Sequence, residues 1–182
     1  SWQSGMPGIL NADEQGLGKT LQTITFLRWL QDNARQHGGI SGPVLIVAPT
    51  SLLENWNKGV TDHCDIDGLG TLLPLYGSAL SRYKYHDGQG VETLSGEQRL
   101  DLNRLQTAIR EAKGHRFWLL TTYTTLTNYQ HSFARIQFAA VVFDEIQALK
   151  NPVSLRAMAA RAINAEYRIG LTGTPIENST GD

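Results

Sequence analysis

Gly16, Gly18, Lys19 and Thr20 follow a short apolar run, and an amphipathic pattern starts directly after them. Glycines let a backbone turn tightly and aim several N–H groups at an anion with no Cβ in the way. A helix opening at this point adds the positive end of its dipole to the same spot. Lys19 would then meet the β- and γ-phosphates of a nucleoside triphosphate as a point charge, and the Thr20 hydroxyl would ligate the accompanying magnesium ion. The strict spacing Gly-x-x-x-x-Gly-Lys-[Ser/Thr] is not met, because Asp13 stands where the first glycine belongs. Gly16 does the equivalent turning. The competing reading is a glycine-rich turn before an ordinary helix with an exposed lysine.

A second stretch supplies what a phosphate loop lacks. The run Ala139-Ala140-Val141-Val142-Phe143 delivers Asp144 and Glu145 to the tip of an apolar strand. Asp144 would hold the magnesium ion, directly or through water, and Glu145 would orient and polarise the water that attacks the γ-phosphate. Adjacent residues on a strand point to opposite faces, so the pair can serve one ion and one water only if the strand ends between them. The turn into Ile146-Gln147 permits this. A merely solvated acidic strand end is the alternative.

The elements that must position these groups come from hydrophobic periodicity. Residues 8–12 read as a short buried strand. Residues 19 to about 33 read as a helix with Leu21, Ile24, Leu27 and Leu30 on one face and Trp29 adjoining it as core. Residues 44–48 form a continuous apolar run, expected for a parallel strand covered on both faces. Pro49, Thr50 and Ser51 open a second helix, from 52 to about 61, whose end is weakened by Gly59. Strands follow at 71–76, 117–121, 139–143 and 168–172, with helices at 97–113, just after Thr122 and Tyr123, and from 152 to about 165. Residues 77–96, with Gly77, Gly88, Gly90 and Gly96 among polar residues, have turn chemistry and no sustained period, so a flexible surface insertion is expected there. Tyr83 and Tyr85, beside Arg82 and Lys84, could stack on bases in such a loop, although an exposed loop of mixed charge explains them as well.

Strands alternating with helices predict an α/β fold, a doubly wound parallel sheet in a three-layer αβα arrangement. Ligands of such sheets bind beyond the carboxyl ends of the strands. The chain of 182 residues suits one domain spanning 1–182, and its 41% hydrophobic and 18% charged residues exclude a disordered chain. A net charge of -1 provides no basic field for nucleic acid, so such a partner would be held by local contacts. Cys64 is the sole cysteine, which excludes an internal disulfide and a cysteine-rich zinc site. No apolar run reaches the roughly 18 residues that span a bilayer. The protein is therefore expected inside the cell without a membrane partner, and in the cytoplasm with the nucleoid if bacterial. The abrupt ends at Ser1 and Asp182 suggest a piece excised from a longer chain.

Five motifs now stand in order: Asp13-Glu14-Gln15-Gly16-Leu17-Gly18-Lys19-Thr20, Ala48-Pro49-Thr50-Ser51-Leu52-Leu53, Asp144-Glu145-Ile146-Gln147, Lys150-Asn151-Pro152 and Leu171-Thr172-Gly173-Thr174-Pro175-Ile176-Glu177-Asn178. In content and order they resemble the Swi/Snf-type ATPases of helicase superfamily two, and Gln147 with Lys150-Asn151-Pro152 is similar to the family's bacterial branch. The resemblance implies a RecA-like first lobe of a two-lobed motor that moves along duplex DNA using ATP and Mg2+. It implies that Gln15, Gly16, Leu17, Gly18, Lys19, Thr20 and Leu21 bind the nucleotide, that Thr20 and Asp144 hold the metal, and that Lys19, Asp144, Glu145 and Gln147 support hydrolysis. It further implies that Pro49, Thr50, Ser51, Thr122 and Tyr123 meet the DNA backbone, and that Thr172, Gly173 and Thr174 couple nucleotide to DNA. Backbone contacts of that kind position a protein without reading sequence.

Three positions depart from the family pattern. Asn11 stands at a strand position usually apolar, Asn57-Lys58-Gly59 follows Trp56 where an acidic and aromatic pair is commoner, and Gln3 is too near Lys19 to be the adenine-reading glutamine. The family completes its transition state with arginines from a second RecA-like lobe, and Arg156, Arg161 and Arg168 match no such motif. Other readings are a strand-separating RNA or DNA helicase of the same superfamily, a catalytically silent nucleotide-binding module, and a small-molecule phosphotransferase, for which residues 171–178 would have no role.

Overall fold

The computed structural model of the chain describes residues 8–10, 17–37, 42–63, 69–85, 92, 97–111 and 117–172, with 8–10, 17–21, 34–37 and 59–63 described by their backbone alone. Six strands, β1 (Gly8–Leu10), β2 (Val44–Ala48), β3 (Thr71–Pro74), β4 (Phe117–Thr122), β5 (Gln137–Phe143) and β6 (Asn164–Leu171), form one sheet in the order β1-β6-β5-β2-β4-β3. Every pairing within it is parallel. The helices are α1 (Leu17–His37), α2 (Leu53–His63), α3 (Leu102–Glu111), α4 (Tyr123–Asn128), α5 (Gln130–Phe133) and α6 (Leu155–Arg161).

The order of strands decides which face each helix covers. From β1 to β2 to β3 the chain moves toward one edge of the sheet, and from β3 through β4 and β5 to β6 it moves back. Right-handed crossovers in opposite directions put their helices on opposite faces. One face accordingly buries Ile24, Leu27 and Leu30 of α1 and Leu53 and Trp56 of α2 against Val44, Ile46, Leu120, Val142 and Ile169. The other buries Leu105 of α3, Leu126 of α4, Phe133 of α5 and Ala159 and Ala160 of α6 against Leu45, Val47, Leu119, Val141 and Phe143. Successive residues of β2 alternate between the two cores, which is why its sequence is apolar without a gap. β3, on the edge, can end in Pro74, whose missing N–H would break a central ladder.

Several expectations need correction. Trp29 does not join the core: it is 55% exposed and stacks on Phe26 at 5.9 Å. At about 100° per residue it stands a quarter-turn outside the stripe ending at Leu30. The first part of the expected insertion at 77–96 is ordered into 3-10 turns over Gly77–Tyr83, with Leu80 and Tyr83 buried. Tyr83 is thus a core residue, with Arg82 over its ring at 5.5 Å, and Tyr85 remains exposed. Glu92, fully buried, accepts hydrogen bonds from the backbone N–H groups of Arg99, His131 and Ser132 and from the Ser132 hydroxyl. Residues 86–91 and 93–96 lie outside the described residues.

Boundaries also moved. Leu100 forms an isolated bridge with Lys84, so α3 starts at Leu102 and not at 97. Helix α2 runs through Gly59 to His63, and the turn before it, Thr50–Leu52, is 3-10. Helix α6 stops at Arg161 because β6 begins at Asn164, earlier than the expected 168. The Arg168 guanidinium closes this corner, donating to the carbonyls of Ile163 and Ala160 and lying 5.5 Å from the Phe143 ring centroid. Burial lowers its pKa.

Gly42 shows how tightly β2 enters the sheet. Its φ is +121°, and a Cβ there would sit 2.4 Å from the Gln137 carbonyl oxygen. Gly42→Ala is therefore expected to destabilise the protein by roughly 1–3 kcal/mol, measured as a lower denaturant midpoint at unchanged slope. Arg168→Met, which removes the donors for the end of α6 while keeping an apolar stem, should cost about 1–2 kcal/mol in the same assay.

Candidate functional site

Parallel strands bring all their carboxyl ends to one rim. Leu10 of β1 pairs with Leu171 of β6, Gly170 with Phe143 of β5, Phe143 with Val47 of β2, and Ala48 with Thr122 of β4. One row further on, the Asp144 N–H donates to the Val47 carbonyl at 2.8 Å. The end of β1 is thus separated from Asp144 by the single strand β6, two strand spacings or about 10 Å across. Gly18, Lys19 and Thr20 occupy the first turn of α1, the end at which a helix dipole is positive and N–H groups lack intrahelical partners. Gln15, Gly16, Gly173 and Thr174 lie outside the described residues, as does Asn11, and Leu17, Gly18, Lys19, Thr20 and Leu21 are described by backbone only.

The acidic pair straddles the end of β5. Strand β5 ends at Phe143, and Asp144 is 6% exposed. Its Oδ1 accepts the Glu145 N–H at 2.9 Å, and its Oδ2 accepts the Trp56 indole N–H at 2.8 Å. Glu145 adopts the left-handed conformation, φ 53° and ψ 56°, and is the non-glycine residue with positive φ among the described residues. That conformation costs an L-residue about 1–2 kcal/mol. It breaks the strand between the two acids and turns the half-buried Glu145 side chain away from the strand's alternation. Exposed Gln147 donates from Nε2 to Glu145 Oε1 within the 3-10 turn Ile146–Leu149. Gly170 lets that turn lie close on β6, since a Cβ there would meet Ile146 Cδ1 at 2.1 Å.

Tyr123 braces the pair from the other face. Its hydroxyl donates to the Asp144 carbonyl at 2.6 Å, and its ring lies 5.8 Å from the Arg156 guanidinium. Burial first, then the neighbouring Asp144 charge, pushes its pKa well above the usual phenol value, with Arg156 opposing and Glu145 adding to the rise. It stays a neutral donor. The Thr122 hydroxyl caps α4 by accepting the Thr125 N–H at 3.0 Å. Thr122 and Tyr123, also expected at DNA, are 6% and 4% exposed, so both side chains are buried. Of the residues expected at DNA, Thr50 and Ser51 are exposed and Pro49 is half-buried. Thr172, at the end of β6, is half-buried.

Two features of this site escaped the sequence reading. One is the Glu145 backbone, which no residue type announces. The other is Trp56: Leu53 and Trp56, three apart, mark the inward face of α2, and that spacing was the available signal that the indole points under the rim.

Comparison with known proteins agrees with this arrangement. The whole chain, residues 1–182, matches the SNF2-related domain. It is 36% identical over 176 residues to the Zorya protein ZorD of Escherichia coli, covering 96% of this chain and 15% of that one. It is 35% identical over 181 residues to the chromatin-remodeling ATPase INO80 of Arabidopsis thaliana, covering 100% of this chain and 10% of INO80. The chain therefore spans a small part of these relatives. Among solved structures it resembles the Sulfolobus solfataricus SWI2/SNF2 ATPase core in complex with dsDNA, with a TM-score of 0.59 and 27% identity over 97% of this chain and 29% of that one. With the parallel α/β sheet, the acid pair at the end of β5 and a match along its full length, the chain belongs to the SNF2-related domain family of Swi/Snf-type ATPases.

Proposed function

We propose that this chain is the ATP-binding first lobe of a DNA-dependent ATPase that moves along duplex DNA. The observation that carries the reading is the single-strand separation between the end of β1, which feeds the first turn of α1, and the Asp144-Glu145 turn after β5. A triphosphate seated on the α1 terminus would reach both acids.

In this reading the backbone of residues 15–18 and the α1 dipole bind the phosphates, with Lys19 on the β- and γ-phosphates. Thr20 and Asp144 are hard oxygen donors, and the described residues hold no group of three or more His, Cys, Asp or Glu side chains that could form a cage. Such a donor set suits Mg2+, which takes one or two protein ligands and completes its shell with phosphates and water. When bound, the ion neutralises charge developing between the β- and γ-phosphates. Glu145 polarises the attacking water, and Gln147, bonded to its carboxylate, reports the γ-phosphate to the neighbouring turn. Thr172, Gly173 and Thr174, after β6, carry the same signal toward DNA. Pro49, Thr50 and Ser51 meet the phosphate backbone, while Thr122 and Tyr123 shape that surface from beneath. The duplex named with the Sulfolobus core supports double-stranded DNA as the partner.

A second lobe completes the site. Among the arginines nearby, Arg168 is bonded to the carbonyls of Ile163 and Ala160 at the end of α6 and Arg156 lies exposed over the Tyr123 ring, and this reading assigns the transition-state donor to the second lobe.

Three outcomes are expected. In the full-length protein Lys19→Ala should weaken Mg-ATP binding about tenfold or more by calorimetry. Glu145→Gln should leave that binding within about twofold while lowering duplex-stimulated turnover by about 10²–10⁴. Residues 1–182 alone should bind Mg-ATP weakly and hydrolyse it at no more than about 10⁻³ of the full-length rate, the shortfall of a missing arginine donor. Unchanged nucleotide binding in Lys19→Ala, or turnover by the isolated lobe at the full-length rate, refutes the proposal.

A further inference from the structure

Trp56 is 1% exposed in the body of α2, and 88 residues separate it from the carboxylate its indole meets. Filling the core does not require that contact. Trp118, equally buried, leaves its indole N–H with no hydrogen-bond partner among the described residues. The ring of Trp56 would pack as well with its nitrogen elsewhere, yet Nε1 is directed at Asp144 Oδ2 at 2.8 Å.

We infer that Trp56 is a positioning residue for Asp144: its indole N–H fixes the carboxylate in the orientation in which Asp144 receives the magnesium of the bound nucleotide. The inference rests on the nucleotide-site reading above. A carboxylate held at one oxygen can still swing about its terminal torsion, which is broad for Asp. Here Oδ1 takes the Glu145 N–H and Oδ2 takes the indole, so the plane of the group is set by two donors from different elements. A carboxylate oxygen carries two lone pairs, so accepting one hydrogen bond does not by itself exhaust its capacity as a metal ligand. The choice of side chain follows. The donor must cross the apolar layer between α2 and the strand ends and present one N–H and no acceptor, and tryptophan alone among side chains combines that bulk with a single N–H donor. Partners of this outer kind typically change metal affinity by 10- to 100-fold when removed.

The test replaces Trp56 in the full-length protein with its benzothienyl isostere, in which sulfur stands in for the indole N–H, so shape and packing are retained. Trp56→Phe serves as a second variant. Calorimetry compares ATP in EDTA with ATP plus Mg2+. Metal-free ATP should bind the isostere as it binds the natural protein, while the strengthening that Mg2+ confers should fall about tenfold. Combined with Asp144→Asn, the isostere should add no further loss, because both changes act on one carboxylate. An undiminished Mg2+ effect in the isostere overturns the inference, as does an additive loss in the double variant, which would make Trp56 a packing residue only. If Asp144→Asn by itself retains the full Mg2+ effect, the metal reading of the site fails, and this inference with it.

Discussion

The hydrogen-bonded pairing of β5 with β2 on one side and β6 on the other holds the centre of the molecule, and the site depends on it more than on any side-chain contact. The pairing is parallel throughout, so where β5 stops, its neighbours stop within about a residue of it. The Asp144 N–H extends the ladder one step past the strand by bonding to Val47. An acid so placed has its backbone fixed by the sheet, its carboxylate by α2 and by the next N–H, and its carbonyl by Tyr123. Both faces of the sheet thus converge on one residue.

What the sequence made legible was whatever local pattern determines. The unbroken apolar run of β2 could only be a doubly covered strand, and the run ending at Phe143 located the acids correctly. The strand-end rim followed from alternation of strands and helices together with the handedness of crossovers. Trp29 was misjudged because a helical stripe has soft margins, and a residue a quarter-turn away can be drawn in or left out by neighbours that the pattern does not contain. The segment beginning at Gly77 looked like a loop by composition, yet Tyr83 and Glu92 are buried by partners far along the chain, Ser132 lying 40 residues from Glu92. Turn-rich composition reports how the chain bends. It does not report what covers it.

The same distinction runs through the site. Lys19, Thr20, Asp144 and Glu145 were conspicuous because a phosphate or metal site, as proposed for them, would admit few residue types. Trp56 was hidden, since a tryptophan on an apolar helix face is what any core would use, and only the fold brings it against Asp144. Thr122 and Tyr123 show the reverse case: their types suit a backbone contact, but capping and burial occupy them first. A side chain's chemistry states what it could do, and its neighbours decide which of those things it does.

The left-handed backbone at Glu145 carries a consequence for anyone breeding sturdier versions of this protein. Glycine or asparagine would sit there with less effort than glutamate. A screen that rewards heat tolerance alone will enrich those replacements, and the survivors will look improved by every measure of robustness while missing the acid to which the proposed reading assigns the attacking water.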